Sequence, residues 1–471
     1  MKKHLLPILS CRSFMSQISE RVLPGGYCIG CGACSYLDDA AYKLDWTSEG
    51  TYQATLQAGQ HNPSELADQV CPFTNKIENE DEIGERLFGG FAEKARHVGY
   101  FRGCYVGHVE EEDHRSLGSS GGVGRWLLAE LLKVGAVDYV IQVEPQDGSD
   151  TLFSYACFND PAQVRAAAKS AYYPVTLAGA LERIRSVPGR YAITAIPCFA
   201  KTLRNLAKVD SVIDERLSLV IGIICGHLKT ASFAEALAWQ LGVEPNRLKG
   251  IDFRGKIEGK KANDKGVTAS DGTHLAGPIS SKQLFGGNWG WNLFKYKACD
   301  YCDDVLAETA DVAIGDAWLP EYVNDHRGSS VVVIRDPGVQ RIVERANAAG
   351  RLDLTEVAPE VIVKSQMGGI RHRTEGLALR LSDDIAVGKW VPTKRVEPGV
   401  NLTRRRKRMY RARVALRDVS IKAYQEAKER RDFAHLERAV QPYIKQLDDR
   451  PVWRVVGGAL YRYFLKTVKK A

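Results

Sequence analysis

The chain has 471 residues, 44% hydrophobic and 26% charged, with a formal net charge of +8. That length accommodates two or more domains around a large core, the composition is ordinary for a soluble globular protein, and no apolar run approaches the length needed to span a membrane. Eleven cysteines without a secretory signal point to a reducing compartment, the cytoplasm, where grouped thiols bind metal more often than they pair as disulfides.

The first residues, a short apolar stretch at 5–10 followed by Cys11, fall short of a lipoprotein signal and read as a flexible start. Next comes Cys28-Ile29-Gly30-Cys31-Gly32-Ala33-Cys34. Three cysteines at intervals of three gather their sulfurs round one small volume, because Gly30 and Gly32 allow the tight turn this requires. Where a ferredoxin run would continue with a fourth cysteine stands Asp38. A Cys-Pro pair occurs instead at Cys71-Pro72, after predicted strands over 42–45 and 51–56, so the hairpin brings back Cys71 as the fourth ligand.

From Tyr100 onward, predicted strands alternate with predicted helices, the pattern of an α/β (mixed α+β) body. The strands fall at 105–109, 137–143, 191–196, 217–224, 312–314 and 330–334, the last completing the set. The helices fall at 123–134, 161–169, 178–186 and from Ala200. Residues 251–277, rich in Lys, Gly and Asp, read as hairpins or a surface excursion. Beyond about residue 395 the chain turns helical and basic, with 20 Lys and Arg against 7 Asp and Glu over 399–471. The expected organisation is an N-terminal iron–sulfur module (1–98), an α/β body (99–395) and a basic helical tail (396–471).

Between the strand at 105–109 and its helix lies Gly118-Ser119-Ser120-Gly121-Gly122. Such a turn suits a phosphate or flavin pyrophosphate, and equally a plain tight turn with a serine helix cap. Two consecutive strands run out at Ile196-Pro197-Cys198 and Ile224-Cys225. Ligands of open α/β sheets sit beyond the carboxyl ends of strands, which directs Cys198 and Cys225 toward one site. With Cys299 and Cys302 they form a second set of four, and either set suits zinc or a 4Fe–4S cluster. The Cys28-x2-Cys31-x2-Cys34 spacing favours the cluster, since a zinc ribbon uses two separate Cys-x2-Cys knuckles. Cys11, Cys104 and Cys157 read as buried or incidental thiols.

These landmarks, with Val70-Cys71-Pro72, Phe253-Arg254-Gly255-Lys256 and Ala310-Asp311-Val312 through Gly315-Asp316, resemble the coenzyme F-420 hydrogenase/dehydrogenase beta subunit family along almost all of 27–375. A relative of that family is 7-hydroxymethyl chlorophyll a reductase. The resemblance implies an FAD-containing oxidoreductase with two 4Fe–4S clusters, held by Cys28, Cys31, Cys34 and Cys71 and by Cys198, Cys225, Cys299 and Cys302. It implies flavin contacts from Ser119, Ser120, Gly121 and Gly122, then Lys169 and Ser170. Electrons would come from a ferredoxin-like donor or a reduced deazaflavin and reach an organic substrate, in some bacterial members alongside surface-polysaccharide synthesis.

His227, beside Cys225, is the nearest candidate proton donor to a flavin, or simply a histidine bonded to the backbone or to a cluster sulfur. The tail lies outside the resemblance. Its apolar residues over 452–468 recur near helical period among Arg and Lys, as in a helix on an anionic membrane surface at the cytoplasmic face, or one docked on the body. Two rival readings are a zinc-stapled basic module without redox chemistry and an electron-transfer subunit of a larger complex; nucleic acid is not an expected partner of the main reading.

Overall fold

The computed structural model describes residues 16–59, 63–146, 151–166 and 169–447. Besides a short antiparallel ribbon of Glu93–Ala95 with Gly99–Phe101, its strands, in chain order, are β1 (Tyr42–Trp46), β2 (Tyr52–Leu56), β3 (Gly103–Val109), β4 (Tyr139–Pro145), β5 (Phe153–Phe158), β6 (Tyr191–Ala195) and β7 (Leu217–Ile223), then β8 (Gly250–Gly255), β9 (Gly266–Ser270), β10 (Leu275–Ser280), β11 (Val312–Asp316), β12 (Ser330–Ile334) and β13 (Leu352–Glu356). Eight of them form one sheet in the order β13-β3-β12-β11-β7-β6-β4-β5. Its centre, β11-β7-β6-β4, is parallel, and the flanking pairs are antiparallel.

The central strands are almost wholly apolar because they are covered on both faces. Successive residues point to opposite sides. Val220, Ala313, Val331 and Val333 face one core; Ile221, Val312, Ile314, Val332 and Ile334 face another. The second face is closed by the helices Val123–Lys133 and Pro337–Ala348, through Trp126 and Val339. Over the first lie the helices Ala178–Ser186 and Pro197–Val209, and with them Tyr27, Ile29 and Phe73 of the N-terminal segment. The cysteine segment therefore shares a continuous core with the sheet. Each large apolar side chain buried there contributes about 1.5–3 kcal/mol.

Most expected elements appear within a residue or two. The helix expected from Ala200 starts at Pro197, where a proline at the first helical position is favoured since its missing N–H would have no partner anyway. The strand at 330–334 is not the last: β13 adds an edge strand through β3, and its half-exposed Leu-Asp-Leu-Thr-Glu lacks a continuous apolar run. The excursion at 251–277 is a three-stranded antiparallel sheet, β8-β9-β10.

Beyond the body, the helix Arg404–Arg430 docks on the molecule through Met409, Tyr410, Leu416, Ala423 and Tyr424. Within its basic run, Arg406 pairs with Glu375 at 2.6 Å. Arg417, from the same helix, pairs with the fully buried Asp300, which also meets Lys295 and Arg380. Burial opposes the charge on Asp300, but these cations outweigh it and hold the carboxyl well below its ordinary range. The expected amphipathic segment at 452–468 lies outside the described residues, as does Cys11. Among the described residues no helix is long and apolar enough to cross a membrane.

Candidate functional site: two four-cysteine cavities and a cationic cradle

The turn 28–34 folds as its glycines allow. Gly30 and Gly32 both adopt left-handed backbone, φ 69° and 83°, and a Cβ on Gly30 would lie 2.5 Å from the Tyr52 carbonyl oxygen. Gly32 leads into the short helix Ala33–Leu37, which positions Cys34. Cys28, Cys31, Cys34 and Cys71 line one cavity with Ile18, Val22, Ala54 and Phe73, and among the described residues no charged side chain shares that lining. The amides of Gly30 and Ala54 each donate to the Cys28 sulfur at 3.4 Å, so strand β2 supplies part of the shell. Burial, reinforced by the neighbouring sulfurs, pushes Cys31 up to about 11 and Cys34 well above the ordinary thiol range.

The second cavity takes its cysteines from three places in the body. Cys198 sits in the first turn of the helix Pro197–Val209 after β6, where the positive end of the helix favours a thiolate. Cys225 lies just after β7, its amide donating to the Val305 carbonyl at 3.1 Å. Cys299 and Cys302 come from the turn that precedes β11. All four line one cavity with Ile29, Phe73, Pro197, Leu228 and Arg373. The Leu228 amide donates to the Cys299 sulfur at 3.2 Å. Burial outweighs the nearby Arg373, so that Cys225 is pushed up to about 12 and Cys299 up to about 11.

Ile29 and Phe73 line both cavities, which therefore stand back to back. Both present four sulfurs and, among the described residues, no competing carboxylate or imidazole. Thiols so desolvated and crowded ionise only against a compensating cation, and amides aimed at sulfur are the usual support of a thiolate-held centre. The residues present thus fit a soft-metal or iron–sulfur group. Cys104 is buried in the core and Cys157 is half-buried on β5, outside both cavities.

The glycine- and serine-rich turn is built into the sheet. A Cβ on Gly121 would meet the Gly107 oxygen at 2.6 Å and the Ser330 nitrogen at 2.7 Å. Gly122, left-handed at φ 84°, precedes the helix Val123–Lys133. Ser120 donates to the Ser329 carbonyl at 2.7 Å, and Ser119 accepts from the Ser170 amide at 2.9 Å. Cations gather around the turn. Lys265 and Arg254 donate to the Ser119 carbonyl at 2.9 and 3.2 Å, and Lys256 donates to the Ser120 carbonyl at 2.9 Å. Lys169 pairs with Asp252 at 2.8 Å, Arg115 with Asp325 at 3.0 Å, and Arg254 with Asp316. Lys256 and Lys265 have no carboxylate partner within ion-pair distance among the described residues. Burial first, then their neighbouring cations, pushes Lys256 down to about 7 and Lys265 down to about 8. Such a cradle favours an anionic ligand.

His227 lies between the second cavity and this cradle. Its ring stacks on Trp289 at 4.4 Å, Trp289 meets Tyr172 at 4.7 Å, and Tyr172 accepts from Arg254 at 2.7 Å. The His227 Nε2 is buried without a hydrogen-bond partner. Burial and the cations Lys229 and Lys295 hold the ring neutral, its pKa well below the ordinary value. Sequence reasoning did not single out Arg373, Lys265 or Trp289, which have no motif around them. Arg254 and Lys256 stood within a quoted landmark, yet their convergence on the turn depends on the fold of the three-stranded sheet.

Two family descriptions match the chain. One is the N-terminal part of the coenzyme F420 hydrogenase/dehydrogenase beta subunit, over residues 104–182, and the other is the C-terminal part of the same protein, over 189–360. The first cysteine set precedes both segments, the second lies wholly within 189–360, and Arg373 follows them. No curated protein matches the chain. Among solved structures, it is similar to a chain of the F420-reducing NiFe hydrogenase complex from Methanosarcina barkeri at 16% identity, covering 64% of this chain and 98% of that one, with a TM-score of 0.48.

Proposed function

The chain belongs to the coenzyme F420 hydrogenase/dehydrogenase beta subunit family, and from that premise we propose a flavin- and iron–sulfur-containing oxidoreductase with two 4Fe–4S clusters and one FAD. Cys28, Cys31, Cys34 and Cys71 would hold one cluster, and Cys198, Cys225, Cys299 and Cys302 the other. The observation that carries this reading is the pair of buried four-thiol cavities sharing Ile29 and Phe73 as a wall.

The cradle is proposed as the FAD site. Lys256 and Lys265 would neutralise the pyrophosphate, with Ser119, Ser120, Gly121, Gly122, Lys169 and Ser170 around it. When bound, a flavin joins two-electron organic chemistry to one-electron carriers. The protein's own contribution is to exclude water from both cavities and fix the thiolates in place. His227, neutral and stacked on Trp289, is the proposed proton-handling group. A ferredoxin-like protein or a reduced deazaflavin is the proposed electron source, and an organic molecule the substrate.

Anaerobic purification of the full chain, with iron, sulfide, zinc and extracted-flavin assays, tests this. The expected result is about eight irons, as two cubane clusters require, with one FAD per chain. Zinc in both sites with no flavin overturns the reading and favours a zinc-stapled module.

A further inference from the structure

Arg373 closes the helix Pro359–Arg373 and is 2% exposed. Among the described residues it is the only charged side chain in the lining of the second cavity. Its Nε and Nη1 are buried with no hydrogen-bond partner, and among the described residues no carboxylate lies within ion-pair distance. What shares the cavity lining with it is sulfur: Cys302, Cys225 and Cys299, each of which favours its charge. An isolated guanidinium taken out of water is costly unless an anion compensates it. The anion available here is the thiolate set itself.

Among the described residues the first cavity has no such cation in its lining. A buried acid, Asp68, stands near it, accepting from Ser16 Oγ and from the amides of Gln17 and Ile18 and paired with Lys76 at 3.3 Å outside the lining. After burial and the neighbouring sulfurs, the charge of Asp68 adds to the rise of the Cys71 thiol. Near the second cavity, Lys229 is buried with its Nζ 4.7 Å from the Trp289 and Phe233 ring centroids, and the fully buried Lys295 is compensated by Asp300, which leaves Arg373 as the uncompensated charge in the lining.

A centre held by four thiolates is a net anion that becomes more negative on reduction, so an adjacent fixed cation stabilises the reduced form and raises the midpoint potential. We propose that Arg373 is a built-in counter-charge to the centre held by Cys198, Cys225, Cys299 and Cys302, and that it sets this centre at a higher potential than the one held by Cys28, Cys31, Cys34 and Cys71. Arg373 acts as a positioning and tuning residue and supplies no ligand atom. The inference rests on the reading that both cavities hold iron–sulfur clusters.

The test is a potentiometric titration followed by electron paramagnetic resonance, on anaerobic full-length protein, its Arg373→Gln and Arg373→Lys variants, and a Cys34→Ala variant that assigns the signals. The wild type should show two midpoints, the second centre being the higher. Arg373→Gln should lower that midpoint alone, reducing its reduction equilibrium constant at least tenfold, about 59 mV for a one-electron couple, with iron and sulfide content unchanged. Arg373→Lys, which keeps the charge but loses the planar guanidinium fork, should shift it less. If the glutamine variant loses iron, the lysine variant decides the matter. An unchanged second midpoint at full iron content, or a reversed order in the wild type, overturns the inference and leaves the two-cluster reading intact. Zinc in the wild type overturns both.

Discussion

In the first cavity three of four sulfurs come from seven consecutive residues, and the lining is apolar. In the second, the sulfurs come from a helix start, a strand end and a distant turn, and a buried guanidinium faces them. Donor sets of the same composition thus depend on the fold to different degrees. A local turn with two left-handed glycines assembles most of the first, whereas the second exists only when β6, β7 and the turn before β11 are in register. The difference also extends to charge, which a donor set alone does not fix.

Removing one sulfur from each set gives the largest expected effect. Cys299→Ala should abolish about half of the bound iron and spare the signal of the first centre, and Cys34→Ala should do the converse, as read by iron and sulfide assay with paramagnetic resonance. If each substitution emptied both cavities, the two sites would be one cooperative unit.

Arg335 sharpens the same contrast through stability. It is fully buried and donates to the carbonyls of Val98, Tyr100, Ala307 and Ala310 at 2.8–3.1 Å, tying β12 to the segment just after Cys302. Arg335→Leu leaves those acceptors unmatched, at a cost of about 3–5 kcal/mol. Denaturant unfolding followed by iron release should show the second cavity emptying before the first.

A pH series probes the cradle, whose Arg254 is joined through Tyr172 and Trp289 to His227, two residues beyond Cys225. Lys256 and Lys265 bind protons less tightly in the folded chain, at about 7 and about 8, than at their ordinary 10.5. An anionic ligand favours the protonated lysines, so binding takes up protons and affinity falls as pH rises from about 7 to 9. The fall should approach tenfold per pH unit for one lysine, measured by flavin fluorescence titration. Without ligand the sign reverses: between those values and 10.5 the unfolded chain holds more protons, so folding stability from these groups rises with pH. Affinity independent of pH would remove both lysines from the ligand's surroundings.

The smallest effect is expected at the shared wall. Ile29→Val removes one methylene from a side chain that lines both cavities and should cost about 1 kcal/mol in denaturant unfolding, with the iron content of both sites retained.

Residues 28–34 show how far sequence reading reached. Their spacing marked the cysteines that come to line one cavity and their glycines marked the turn, because every group involved lies within a few residues of the next. The apolar runs of β7 and β12 were equally legible, since a strand buried on both faces must be hydrophobic throughout. β13 was not, because one exposed edge lets Asp353, Thr355 and Glu356 interrupt the pattern. β5 escaped for a related reason: Ser154, Tyr155 and Cys157 are only partly covered.

By itself, then, the sequence determined most of the central strands and helices of the sheet, the local turn of the first cysteine set, the family to which the chain belongs and the excess of basic residues near its end. Only the tertiary structure decided that Cys198, Cys225, Cys299 and Cys302 meet in one cavity, that this cavity shares Ile29 and Phe73 with the first, that Arg373 faces its sulfurs, and that Lys256 and Lys265 converge on the 118–122 turn. The division follows from range. Backbone preference and hydrophobic period act between near neighbours and are written in the order of residues, whereas burial and electrostatics act between groups brought together only after the sheet has formed.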